Sequence, residues 1–83
     1  MEQKIKQDLS IGQNVRRLRK NLHLTQEEVV ARLQLEGCQI TRSTYAKIEC
    51  GIASIKVREL IALKKIFQAD YAEFFKIAAG GAK

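Results

Sequence analysis

At 83 residues the chain has room for one small hydrophobic core. Its 46% hydrophobic content excludes a disordered polyelectrolyte, and the absence of proline with only five glycines favours helices on short connections. The formal net charge of +6 points to a polyanionic partner, nucleic acid or less often an anionic membrane surface, and by itself it fits a solubility role as well.

The first helix is expected to begin near Asp8 or Ser10, either of which can cap it. Ile11, Val15, Leu18 and Leu22 recur at helical spacing and predict one buried stripe, with Arg16, Arg17, Arg19 and Lys20 on the other faces. Asn21 to Leu24 form a short connection. His23 has no cluster of ligand-type residues around it and reads as a loop residue. The second helix carries a capping box, Thr25 followed by Glu28, in which each side chain satisfies a backbone N–H at the helix start. Val29, Val30 and Leu33 give it an apolar side, and Gly37 is the natural stop.

The third helix lies in "ITRSTYAKIECG", capped by Thr41 and ended by Gly51. On a wheel of about 3.6 residues per turn, Tyr45 and Ile48 share a side with Thr41. Ser43, Lys47 and Cys50 fall opposite, with Ala46 beside them and Arg42 at the start. That outer surface is small-featured, unlike an ordinary charged face. The loop "IASI" leads to a fourth helix in which Val57, Leu60, Ile61 and Phe67 are expected to face inward, helped by Leu63 and Ile66. Lys56 and Arg58 stand at its start, where backbone N–H groups can also hold a phosphate. Lys64 and Lys65 are expected to face solvent. Asp70 with Glu73 forms another capping pair and opens a short fifth helix in "DYAEFFKIA". Phe74 and Phe75 are adjacent, so one helix cannot turn both toward the same core. One is expected inside, and the other, with Tyr71 or Ile77, in a two-fold homodimer interface. The expected architecture is all-α: a five-helix bundle in a single domain, residues 1–83, with a core over about 9–78.

Several function classes find no support. Cys38 and Cys50 lack a C-x-x-C pairing, so free thiols in a reducing cytoplasm are the default. The longest wholly apolar run, residues 60–63, is far too short to span a bilayer, and no targeting signal is visible. No metal site or cofactor is expected. Nothing resembles a phosphate-binding glycine loop or a nucleophile with its base, so an enzyme is not expected.

Two short helices joined by a turn, the second with a small polar outer face, form the pattern of a helix-turn-helix. A helix entering the major groove needs short outer residues to approach base edges and a few donors to reach them. Ser43 and Ala46 meet the first need; Arg42, Thr44 and Lys47 meet the second. The same composition also fits an ordinary surface helix. The sequence adds to this reading. Over "IGQNVRRLRKNLHLTQEEV", "TRSTYAKIECG", "ELIALKKIF" and "DYAEFF", from Ile11 to Phe75, the chain resembles the Cro and phage-repressor type of helix-turn-helix transcriptional regulator.

The resemblance implies a sequence-specific double-stranded DNA-binding protein whose recognition helix spans about 42–50. It implies base contacts by Arg42, Ser43 and Lys47, with Thr41 and Thr44 nearer the DNA backbone. Gln26 matches a glutamine that touches a phosphate from a helix start, and Arg19 and Glu49 match an internal salt bridge between the first and third helices. An antitoxin-type module that binds a small protein partner is the alternative on the same fold. One departure matters. The family usually joins these helices by a turn of roughly three or four residues, whereas "QLEGCQI" separates Leu33 from Thr41, an insertion of about five residues relative to the family's usual pattern. Val30 stands where the family usually has alanine.

Overall fold

The computed structural model describes residues 4–5 and 9–76. In chain order the elements are β1 (Lys4–Ile5), α1 (Leu9–Asn21), α2 (Gln26–Leu35), α3 (Arg42–Glu49), β2 (Ile55–Lys56), α4 (Val57–Phe67) and α5 (Tyr71–Phe74). The expected helices are all present, and the architecture is mostly helical. The strands are a two-residue antiparallel ribbon, Lys4 opposite Lys56 and Ile5 opposite Ile55. "IASI" is therefore not wholly a loop: Ile55 enters the ribbon with its side chain fully buried. Pairs of two residues are too short to leave an alternating signature.

Local chemistry sets most boundaries. The Thr25 hydroxyl accepts from the Glu28 N–H at 3.1 Å, and the Glu28 carboxylate accepts from the Thr25 N–H at 2.8 Å. That closed capping box starts α2. Gly37 (φ 91°) and Gly51 (φ 80°) take the left-handed conformation just beyond α2 and α3, which is why those helices stop there. Ser10 lies inside α1, which begins at Leu9, so it is not the cap; Asp8 lies outside the described residues. The pair Asp70 and Glu73 also differs from expectation. Asp70 is the N-cap of α5 but makes no side-chain capping bond, and Glu73 turns to cations instead.

Ile11, Val15, Leu18, Val29, Val30, Leu33, Tyr45, Ile48, Leu60, Leu63, Phe67 and Phe74 form one core with Ile55. The Phe67 and Phe74 rings stack with centroids 6.3 Å apart. Burial of side chains this size stabilises by about 1.5–3 kcal/mol each. Two expected core residues are outside it. Leu22 is half exposed because α1 ends at Asn21 and the helical period no longer applies. Ile61 is likewise half exposed, and Ala62 takes the inward position on α4. Val57 and Ile66 are partly buried. A single turn is all that α5 contributes; Ile77 and the residues after it lie outside the described residues.

A close backbone approach lies between α1 and α3. A Cβ on Gly12 would meet the Ile48 carbonyl oxygen at 2.5 Å and that of Glu49 at 2.6 Å. Only glycine lets α1 lie against the end of α3.

Candidate nucleic-acid interface

The third helix divides cleanly. Tyr45, Ile48 and Glu49 are buried, whereas Arg42, Ser43, Thr44, Lys47 and Cys50 are exposed, with Ala46 between. The Thr41 hydroxyl caps the helix by accepting from the Thr44 N–H at 3.2 Å, and the two hydroxyls lie 3.2 Å apart. Both threonines therefore carry the helix start and stand at its exposed end, beside Arg42.

Helix α3 is held from two neighbouring helices. The Arg19 guanidinium donates to both Glu49 oxygens, Nε at 2.7 Å and Nη2 at 3.1 Å, and its Nη1 donates to the Leu24 carbonyl at 2.9 Å. The Gln26 amide donates to Glu49 Oε1 at 3.0 Å. These bonds join α1, the start of α2 and the end of α3 at one buried carboxylate. Burial alone opposes ionisation of Glu49, but the Arg19 guanidinium, the neighbouring Tyr45 hydroxyl and the Gln26 amide outweigh it and hold its pKa below the usual carboxylate range. Hydrogen bonding to Glu49 raises the pKa of Arg19 in turn. The Tyr45 hydroxyl is buried without a well-formed hydrogen bond, and desolvation, then the Glu49 carboxylate, raise its pKa. Gln26 is thus a structural partner of Glu49 as well as a residue at a helix start. Its amide, with Gln13, Arg16, Arg19, Glu49 and Cys50, lines a polar cleft of about 470 Å³.

The inserted turn is packed. Past Leu35, the Cys38 N–H returns to the Leu33 carbonyl at 3.0 Å, and the Gln34 amide donates to the Ile40 carbonyl at 3.0 Å. Cys38 and Ile40 are buried, and the Cys38 thiol lies 3.8 Å from the Arg58 carbonyl. The extra residues thus lengthen α2 and tie the turn to α4. Val30 is accommodated in the core, 6% exposed.

The other cations sort differently from the sequence reading. The Lys56 N–H donates to Glu59 Oε1 at 2.9 Å, and the Glu59 side chain is buried. A carboxylate therefore already occupies the start of α4, which weakens that end as a phosphate site; Arg58 remains exposed beside it. Arg17 joins α1 to α5, donating to the Glu73 carbonyl at 3.0 Å and its carboxylate at 3.3 Å. The Asn14 amide adds bonds to the carbonyls of Phe74 (3.0 Å) and Lys76 (2.8 Å). Lys76 first, then Arg17, hold the Glu73 pKa below the usual range. Lys65 pairs with Glu36 at 3.3 Å, and Lys64 lies over the Tyr71 ring. At the opposite end, Arg42 forms an exposed ion pair with Glu27 at 3.4 Å.

Of the interface residues expected at the chain's end, Phe74 is fully buried and offers no surface for a partner, because it stacks on Phe67. Tyr71 and Phe75 are 40% and 47% exposed; Ile77 lies outside the described residues. Gly12, Asn14, Gln34 and Glu27 went unread in the sequence. A glycine inside a helical pattern was the available signal for Gly12; the others depend on partners far along the chain. Among the described residues no group of three or more residues could hold a metal ion, and no helix is long and apolar enough to cross a membrane.

The family described as helix-turn-helix matches residues 15–74. Among solved structures, the restriction-modification controller protein C.AhdI from Aeromonas hydrophila is similar, with a TM-score of 0.69 and 22% identity over 81% of this chain and 94% of that one. At that identity the likeness shows the fold. No curated protein matches the chain.

Proposed function

The chain belongs to the helix-turn-helix family in its Cro and phage-repressor form, a family of DNA-binding regulators, and from that premise we propose that it regulates transcription by sequence-specific binding to double-stranded DNA. The chain acts as one DNA-binding domain, with α3 in the major groove. Arg42, Ser43 and Lys47 read base edges. Thr41, Thr44 and the start of α2 at Gln26 lie along the DNA backbone, and Arg58 and Lys56 add outer phosphate contacts through their charge. The observation that carries the reading is the polar exposed side of α3, anchored on its buried side by Glu49, Arg19 and Gln26. A rigid helix loses little freedom on docking, so its contacts translate into affinity.

The active form is a homodimer that uses Tyr71 and Phe75. Two-fold pairing sets two recognition helices about 34 Å apart, one turn of DNA. Selection of bound duplexes from a random pool tests the proposal. A recovered motif with two-fold symmetry is the expected result; a pool that stays random after repeated selection would overturn it.

A further inference from the structure

Glu27 is an acidic residue beside a surface that docking through α3 sets against phosphates, where a lone carboxylate would be repelled. Its neighbour Glu28 is committed to the capping box, but Glu27 takes no part in it. Instead its Oε2 lies 3.4 Å from Arg42 Nε. The closest approach is at Nε, on the side of the guanidinium, and the Nη1 and Nη2 end is the fork that matches O6 and N7 of guanine.

We propose that Glu27 is a positioning residue that sets the specificity of Arg42. It holds the guanidinium from the side, aims its free end into the groove, and keeps it from folding back onto the nearest phosphate. The backbone carrying Arg42 is already fixed, by the Thr41 cap on one side and the Gln34 bond to Ile40 on the other. The side chain is the remaining freedom. Both partners are mostly exposed in the free protein, so the pair is weak there. DNA that covers it lowers the local dielectric and strengthens it at the moment of reading. The inference rests on the proposal that α3 reads base edges.

The test measures affinity for a duplex recovered from the random pool and for a scrambled duplex of the same composition. The proteins are wild type, Glu27→Gln, Arg42→Ala and the double variant. Glu27→Gln should weaken the recovered duplex about tenfold, within the roughly 5- to 150-fold that one bidentate base contact carries. The scrambled duplex should bind equally or slightly more tightly, because a negative charge has gone. In the Arg42→Ala background the same change should move the ratio less than about twofold, since partners in one unit are not additive. Melting of Glu27→Gln should match wild type, as Glu27 is exposed. An unchanged ratio in Glu27→Gln overturns the inference alone. So does an equal loss in the Arg42→Ala background, which would give Glu27 a base contact of its own. A wild-type protein that does not distinguish the two duplexes overturns the parent reading and this inference with it.

Discussion

Replacing Glu49 with alanine removes the acceptor that joins three helices. The side chains of Arg19 and Glu49 are 11% and 3% exposed, so the variant leaves a guanidinium charge largely buried without its counter-ion. It also strips the Gln26 amide of its acceptor. Breaking a buried pair by removing one partner costs about 3–5 kcal/mol. The pair borders an open polar cleft, through which water can reach the stranded guanidinium, so the lower end applies, about 3 kcal/mol. In a domain of this size each kcal/mol moves Tm by roughly 4–8 °C, which gives a fall of about 12–24 °C. Thermal and urea unfolding followed by circular dichroism measure it. The pH dependence gives a second check. Glu49 has a depressed pKa in the folded protein, so its contribution is present above the unfolded carboxylate value and is lost as pH falls through the lower folded value. The stability gap between wild type and Glu49→Gln should therefore narrow below about pH 4.3, the unfolded value. Replacing both partners, Arg19→Met with Glu49→Leu, should recover most of the loss, because no buried charge is left unpaired. A Tm for Glu49→Ala within a degree or two of wild type would refute the reasoning.

Gly12→Ala should destabilise by about 1–3 kcal/mol and displace α3, because its Cβ meets backbone oxygens rather than a yielding side chain; unfolding and the amide spectrum of residues 42–49 report it. Tyr45→Phe should change stability by less than about 1 kcal/mol or raise it, since the hydroxyl is buried without a good partner, and a large loss in urea unfolding would reveal a bond to Glu49. Arg42→Ala should cost about 1–3 kcal/mol on the recovered duplex and much less on a scrambled one, whereas Arg58→Ala should weaken both alike and reduce the salt slope by about one; titrations at several salt concentrations separate the two. Phe75→Glu should shift sedimentation toward monomer without unfolding the chain, because Phe75 is half exposed while Phe74 carries the core.

The helices were legible because their signals are local. The Thr25 and Glu28 box, the two left-handed glycines and the apolar stripes lie within a few residues of the boundaries they set. The polar outer face of α3 was legible for the same reason, since a helical period assigns faces within one element. The period misled most where the helix ran out, at Leu22, and at Ile61, where Ala62 takes the inward position. Contacts made by packing distant segments together were decided by the tertiary structure. Residues 14 and 74, 17 and 73, or 27 and 42 are far apart in the chain, and no local pattern says that they meet. The carboxylate of Glu59 is a different case: it accepts from the Lys56 N–H three residues before it, a local capping contact at the start of α4 that the sequence reading passed over. Sequence alone determined which helices form and which face of each is apolar, because those are short-range consequences of backbone and solvent. Only the folded arrangement decided that Arg17 meets Glu73, Arg42 meets Glu27 and Lys65 meets Glu36, because those partners depend on which helices lie side by side.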